Sequence, residues 1–330
     1  MRAIVITEGK LELRDVERPQ LLSPRDVRVR VRAAGVNRAD LLQRMGKYPA
    51  PPDAPRDIPG LELAGEVEST GAAVRELEPG DRVFAIVGGG AYAEEVVLDA
   101  RLLAPIPEGI DFVQAAAIPE AFVTAYDAMV VQGGLAAGDV VLVHAAGSGV
   151  GTAAVQIARA IGARVIGTAR SAEKLERAKE LGLLAGIVPG RDARDANALR
   201  FAEQVRTANG GRGVDVALDL VGGAYTSESL EALDDKGRLV LVGLMAGARA
   251  EVDLGLVLRR RLRLFGTVLR ARPLEEKILA AQLLAHRIAP LVGEGKLRAV
   301  VDATFPLEEA MAAHDHVASN AGFGKTILTL

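Results

Sequence analysis

Residues 139–162 read DVVLVHAAGSGVGTAAVQIARAIG: four apolar residues, Val140–Val143, a turn of small residues with glycine at 147, 149 and 151, then an alanine-rich helix. An uninterrupted apolar run is what a parallel strand covered on both faces requires. Glycines at the strand-to-helix turn let the backbone approach a dinucleotide pyrophosphate, and the helix start aims free N–H groups at it. Gly151 also permits close packing of helix on sheet. The pattern is a variant of G-x-G-x-x-G, because Ala146 and Ser148 hold the first two glycine positions when Gly151 is the third. A tight strand-to-helix connection would use the same residue types, so the strand–turn–helix context carries the reading as a nucleotide site.

The next strand, Arg164–Thr168, should deliver the group that reads the adenosine ribose, an Asp or Glu in an NAD site. Here the chain continues Ala169-Arg170-Ser171, with Lys174 one turn later and the nearest acid, Glu173, already in the following helix. A carboxylate would repel a 2′-phosphate, whereas Arg170, Ser171 and Lys174 can donate to it and neutralise it. NADP(H) is therefore the expected cofactor. Ser171 can equally cap the helix Ala172–Leu181, with Arg170 and Lys174 as solvated charges, and the two roles are compatible.

The chain has 330 residues, 49% of them hydrophobic, which is enough for a large core and two domains. No apolar stretch is long enough to span a membrane, and Met1-Arg2-Ala3-Ile4-Val5 reads as a strand, not a signal peptide, so a cytoplasmic location is expected. There is no cysteine, which excludes disulfides, thiolate catalysis and thiolate metal sites. The net charge is −3 with the basic residues dispersed, so no nucleic-acid partner is implied. The dense run Arg259-Arg260-Arg261 with Arg263 reads as a solvated loop before a strand at 262–268. His314 and His316, two apart on a helix at 307–319, point to different sides and read as surface residues, not a metal pair.

The first hundred residues alternate in strand fashion, as in Val27-Arg28-Val29-Arg30-Val31, with further strands at 62–67, 82–87 and 92–98 between Pro and Gly turns. That is an antiparallel, barrel-like domain. Later the pattern becomes helices alternating with apolar strands at 163–168, 187–188, 214–220, 238–242 and 262–268, a doubly wound parallel sheet. A long helix is expected from Arg272-Pro273 to about Val292, followed by strand–helix–strand. The fold class is α/β. Residues 1–118 form the first part of a catalytic domain, residues 119–270 a nucleotide-binding domain, and residues 271–330 return to complete the first, with the active site expected in the cleft.

Several segments together resemble the zinc-free quinone oxidoreductases of the medium-chain dehydrogenase/reductase superfamily, over nearly the whole chain. They are Gly35-Val36-Asn37-Arg38-Ala39-Asp40-Leu41-Leu42-Gln43-Arg44, Pro59-Gly60-Leu61-Glu62-Leu63-Ala64-Gly65, AAAIPEAFVTAY at 115–126, the glycine turn, and Phe323-Gly324-Lys325. NRADLLQRMGKY, IPEAFVTAY and VGLMAG look most like the stress-inducible NADPH quinone oxidoreductase subgroup. The resemblance implies a GroES-like β-barrel catalytic domain joined to a Rossmann domain. Where the metal-dependent branch has zinc ligands, this chain has Asn37 and Leu61-Glu62, which implies a metal-free enzyme passing hydride to an already electrophilic acceptor.

Carried over residue by residue, the resemblance implies that Asn37, Tyr48 and Thr124 stand at the nicotinamide and substrate end. Asn37 would bond a ribose hydroxyl or a substrate carbonyl; a turn residue would also be an asparagine. Tyr48 would donate to developing oxyanion charge or serve as a wall. Asp40 would orient Asn37 or its loop, since a quinone can take its proton from water. Gly147, Gly149, Val150 and Gly151 would line the pyrophosphate, Lys174 and Arg170 would meet the 2′-phosphate, and Asn320 would reach the cofactor from the tail. Val242, Gly243, Leu244 and Leu269 would bracket the nicotinamide, and Arg191 would replace a tyrosine expected near Ile187-Val188-Pro189-Gly190. Relatives pair through the last strand of the nucleotide domain, here 262–268, which implies a homodimer or homotetramer. The reading is an NADPH-dependent quinone reductase. An NADPH-dependent reductase of enones or other activated alkenes is the enzymatic alternative, and a nucleotide-binding structural or sensing protein the non-enzymatic one.

Overall fold

Valines alternating with arginines along Asp26–Val36 place Val27, Val29 and Val31 on one buried face, the period-two pattern of a half-covered strand. The computed structural model describes residues 1–190 and 199–330. In chain order its strands are β1 (Arg2–Thr7), β2 (Lys10–Asp15), β3 (Asp26–Val36), β4 (Glu62–Thr70), β5 (Arg82–Ile86), β6 (Glu95–Asp99), β7 (Ala104–Pro105), β8 (Val140–Val143), β9 (Arg164–Thr168), β10 (Ala185–Ile187), β11 (Val214–Asp219), β12 (Leu233–Leu241), β13 (Arg263–Gly266), β14 (Val301–Pro306) and β15 (Lys325–Thr329). They fall into two compact units, Met1–Val123 with Leu269–Leu330, and Thr124–Val268.

The first unit holds a mostly antiparallel sheet in the order β14-β15-β3-β4-β5-β7. One edge of β3 is shared: β6 pairs along Asp26 to Arg30 and β15 along Ala33 to Val36. Register shifts against β4 between Arg28 and Val29 and between Val31 and Ala33 mark the bulges that let so long a strand bend. The chain's last strand thus enters between β3 and β14 and pairs with β14 in parallel. Its core includes Ile4, Val27, Val29, Leu41, Leu63, Tyr92, Leu307 and Leu328.

The second unit is a six-stranded parallel sheet in the order β10-β9-β8-β11-β12-β13. The chain winds outward from β8 to β10, then returns to lay β11 on the other side of β8. Such a reversal leaves a crevice at the carboxyl ends of β8 and β11. All four residues of β8 are buried, as its composition requires.

Three local expectations are corrected. The helix expected from 272 to about 292 is three pieces, Leu274–Leu283, a π-turn at Leu284–Ile288 and Ala289–Gly293, because Pro290 lacks the N–H an α-helix would use and crowds the carbonyl one turn earlier. Arg259 and Arg260 are not in a loop: they end the helix Leu254–Arg260, where cations suit the negative end of the helix dipole, and Arg260 donates to the carbonyls of Glu231 and Leu233. His314 is fully buried, its Nε2 lying 3.3 Å from the Tyr92 hydroxyl, because the helix Ala310–Ser319 turns that side onto the sheet core. His316, on the other side, meets Asp302 at 2.6 Å.

Candidate active site

In the second unit, residues after β8, β9, β11 and β12 gather at one end of the parallel sheet. After β8 the chain turns through Ala145, at φ +50°, and the Ala146 N–H bonds the Thr168 carbonyl of β9 at 2.9 Å. Ser148 caps the helix Gly149–Ala160, its Oγ accepting from the Gly151 N–H at 3.0 Å. A Cβ on Gly151 would lie 2.3 Å from the Ala145 oxygen and 2.7 Å from the Ala146 Cα, so helix and turn touch there as backbone on backbone. The N–H groups of Gly149 and Val150, in the first turn, have no acceptor within the helix and suit an anion. Beneath the turn, buried His144 links Thr168 Oγ1 at 2.9 Å to Ser229 Oγ at 2.8 Å. Burial lowers its pKa to about 4, so it stands there as neutral imidazole.

After β9, Ser171 caps the helix Ala172–Leu181, its Oγ accepting from the Lys174 N–H at 3.4 Å. Arg170 is exposed, and its charge pulls down a Tyr225 phenol that burial has raised. No carboxylate stands between Thr168 and the exposed Glu173. On the other side of the reversal, buried Asp219 accepts from the N–H groups of Val221 and Gly222, both at 2.8 Å, and from the Thr226 hydroxyl at 3.2 Å. Its carbonyl takes the N–H groups of Val242 and Gly243. A Cβ on Gly243 would lie 2.5 Å from the Leu220 oxygen, and Leu244 beside it is exposed. Thr124 lies on the helix Pro119–Tyr126 and is nearly buried. Arg191 lies outside the described residues.

The first unit brings Asn37, Asp40 and Glu62 together with Lys325. Glu62 is completely buried; its Oε1 meets Lys325 Nζ at 2.5 Å and Asn37 Nδ2 at 2.9 Å, and its Oε2 accepts from the Glu120 N–H at 2.8 Å. Lys325 Nζ also donates to Asn37 Oδ1 at 2.6 Å and to the Val36 carbonyl at 3.1 Å, which occupies all three of its protons. A Cβ on Gly35 would fall 2.1 Å from Glu62 Oε1, so the glycine makes room for the carboxylate. The second Asn37 amide proton faces the Gly35 carbonyl at 3.3 Å. Asn37 was expected to offer its amide to a ribose or a carbonyl; its N–H groups are instead turned inward by the ion pair, which leaves only part of Oδ1.

Asp40 is also fully buried, accepting from the Asn37 N–H at 2.8 Å, the Gly60 N–H at 3.0 Å and the Tyr92 hydroxyl at 3.2 Å. Desolvation raises its pKa to about 6 against the pull of the Asn37 and Gly60 N–H groups and of the charges on Lys325 and Arg270. With its oxygens so engaged it orients the Asn37 loop. Tyr48 is half-buried, and no described residue hydrogen-bonds its hydroxyl. Asn320 caps the helix Ala310–Ser319 at φ +55°, its Nδ2 donating to the Ala318 carbonyl at 2.9 Å and its Oδ1 accepting from Arg38. Leu269 is nearly buried at the start of the second segment of this unit.

Sequence reasoning left Lys325, Arg270, Tyr92 and Asp219 without a role. The available signal was a charge inside an apolar strand, as in Lys325-Thr326-Ile327-Leu328 and Glu62-Leu63-Ala64. A doubly wound sheet with a glycine turn at its reversal, together with a β-rich unit completed by the chain's last strand, defines the architecture of a two-domain nicotinamide-type dehydrogenase.

Comparison with known families agrees. Residues 23–108 match the alcohol dehydrogenase GroES-like domain, and residues 149–285 match the zinc-binding dehydrogenase model. The chain is 38% identical, over 94% of its length, to the pikromycin polyketide synthase component PikAII of Streptomyces venezuelae, of which it spans 8%. It is 35% identical to a quinone oxidoreductase of Pseudomonas aeruginosa, over 96% of this chain and 95% of that one. A mycobacterial protein solved in complex with NADPH superposes with a TM-score of 0.87 at 30% identity, covering 100% of both chains. The chain belongs to the medium-chain dehydrogenase/reductase superfamily, which includes quinone oxidoreductases.

Proposed function

We propose that the chain is an NADPH-dependent reductase of quinones that works without a metal. The observation that carries the metal-free part is the Lys325–Glu62 pair. Where the resemblance puts metal ligands, this chain has an amide whose oxygen takes the lysine, a leucine, and a carboxylate already neutralised at 2.5 Å. Amide and alkyl groups are poor zinc ligands, and a cation there would have to displace an ammonium. The fit to a phosphorylated dinucleotide is favourable: the glycine turn leaves room for the pyrophosphate, and Arg170, Ser171 and Lys174 follow β9 where an NAD site would carry an acid.

In this reading Gly147, Gly149, Val150 and Gly151 hold the pyrophosphate, and Arg170, Ser171 and Lys174 hold the 2′-phosphate. Thr124, Val242, Gly243, Leu244 and Leu269 border the nicotinamide, with Asn320 reaching the cofactor from its helix end. Bound NADPH supplies a hydride from its nicotinamide C4. Asn37, fixed by Lys325 and Glu62, presents its carbonyl oxygen to a ribose hydroxyl of the cofactor, and Tyr48 offers its hydroxyl to the acceptor oxygen.

Similarity to a polyketide synthase component favours a second reading, reduction of an activated alkene by the same hydride. β13 is an edge strand with Leu264 exposed on it and Val268 exposed just after it, and Leu254 and Leu258 exposed on the helix before it, so we also propose pairing of two copies through this edge. Steady-state NADPH oxidation with a panel of quinones and enones, in buffer with and without a chelator, tests both. Quinone turnover insensitive to the chelator is expected. Failure of every quinone with turnover of enones would transfer the assignment to the second reading, and chelator sensitivity would remove the metal-free one.

A further inference from the structure

The first unit contains two buried cations that contrast. Lys325 has a carboxylate at 2.5 Å. Arg270, only 7% exposed, has none within 4 Å among the described residues. Its guanidinium is held by neutral oxygens: Nε donates to the Gly88 carbonyl at 2.7 Å, Nη1 to the Tyr48 carbonyl at 3.2 Å, and Nη2 to Gln43 Oε1 at 2.6 Å. Gln43 is itself buried and anchored through its Nε2 to the Arg56 carbonyl at 3.1 Å. The guanidinium carbon lies 5.1 Å from the centre of the Tyr48 ring, within cation–π range. Three of its five N–H donors are thus in use, one of them on the Tyr48 carbonyl and the others on Gly88 and Gln43.

Burying a positive charge without a contacting counter-ion is costly, and an arginine used only to tie loops would be better served by an adjacent acid. The charges that act on it from farther away are the carboxylates of Asp40 and Glu120. Asp40 is spoken for by Asn37, Gly60 and Tyr92. The guanidinium also faces an aromatic ring whose hydroxyl has no hydrogen-bond partner among the described residues.

We propose that Arg270 is a positioning residue for the acceptor: it holds Tyr48 by backbone and ring, and its field makes the Tyr48 hydroxyl a proton donor to an acceptor oxygen that turns anionic. The inference rests on the reductase reading above and deepens it for acceptors bearing a carbonyl, quinones and enones alike. As the acceptor receives hydride, its π pair moves onto the carbonyl oxygen. The Tyr48 O–H bond breaks as a new O–H bond forms at that oxygen, and the tyrosinate recovers its proton from solvent. The balance is NADPH plus acceptor plus one proton giving NADP⁺ plus the dihydro product. Burial raises the Tyr48 phenol above its ordinary pKa, Arg270 draws it down, and Glu120 pushes it up.

The test compares wild type, Tyr48→Phe, Arg270→Met and Arg270→Lys in the full chain. It follows NADPH oxidation with 1,4-benzoquinone and with 2-cyclohexenone across pH, NADPH binding by fluorescence titration, and phenol ionisation of the free protein by ultraviolet absorbance. Tyr48→Phe should lower kcat about tenfold or more and remove the alkaline fall in kcat, with NADPH affinity within about twofold. Arg270→Met should raise the Tyr48 ionisation midpoint and the alkaline limb of kcat by about one pH unit. Arg270→Lys, which keeps the charge but not the fork, should keep the limb and lose rate through misplacement. An unmoved Tyr48 midpoint in Arg270→Met, or an equal shift in Arg270→Lys, would overturn the assignment. If Arg270→Met does not fold, the Tyr48→Phe profile and Arg270→Lys decide. Should wild type reduce neither acceptor, the reductase reading fails, while the ionisation of the free protein still tests the Arg270–Tyr48 coupling.

Discussion

Burial of Asp40 moves its pKa from 3.8 to about 6, a shift upward in an acid, and the sign of its effect on stability follows. Between those pH values the unfolded chain gives up the proton that the folded chain keeps, so the Asp40 contribution weakens as pH rises through this window. At about 1.4 kcal/mol per unit, the change comes to roughly 3 kcal/mol. Asp40→Asn lacks that titration and turns an amide N–H toward backbone N–H groups. It should therefore cost most near pH 4 and less, by up to about 3 kcal/mol, near pH 6.5, as read by denaturant unfolding at the two pH values. A cost that grows with pH would contradict the burial argument. Lys325 and Glu62 predict a different pattern. Removing either partner leaves a buried charge, so Lys325→Met and Glu62→Gln should each lose about 3–5 kcal/mol, while the double variant recovers part of the loss. Little of this network was legible in the sequence. Periodicity marks Glu62 and Lys325 as charges in apolar strands, but their meeting depends on β15 lying beside β3, a pairing of residues nearly the whole chain apart. Tyr48 could be picked out by resemblance; the cation beneath its ring could not, because nothing local to Arg270 distinguishes it from an ordinary surface arginine.

At the scale of elements, the strand–turn–helix at β8 was readable because its signals are local: four apolar residues, a capping serine and a glycine that admits backbone contact. Gly151→Ala tests that contact directly. Its methyl would lie 2.3 Å from a carbonyl oxygen fixed in the turn, so the helix must withdraw. The expected cost is about 1–3 kcal/mol in thermal or denaturant unfolding, together with weaker NADPH binding. Lys174→Ala leaves the Ser171 cap in place, since the lysine donates to it from its backbone, and so separates capping from phosphate recognition. NADPH affinity should fall about tenfold or more with NADH unchanged, and an equal loss for both would remove the 2′-phosphate role. Elements whose ends depend on packing were harder to read. The expected long helix near 272–292 ran through Pro290, where the backbone instead widens into a π-turn. His314 was misplaced because two-residue spacing separates helix faces without saying which one meets the core.

For the whole molecule, the alternation of strand and helix patterns was enough to read a β-rich part, a doubly wound part and a return, since each rests on a period that runs through many residues. The threading of the return was not. β15 does not add to the edge of an existing sheet but lies between β3 and β14, covering backbone groups of both. Deleting residues 325–330 should therefore open the first unit, seen as rapid proteolysis of its strands, while Thr124–Val268 stays resistant and keeps its NADPH-dependent fluorescence change. Loss of protection in both units at once would show that they unfold as one. The same arrangement sets a timetable for biosynthesis. A nascent chain on the ribosome has all the strands of its parallel sheet before it has the one that seals β3, so the earlier-made half must wait, with a polar backbone edge uncovered, for the later one. Chaperone dependence during translation would then fall on the segment synthesised first.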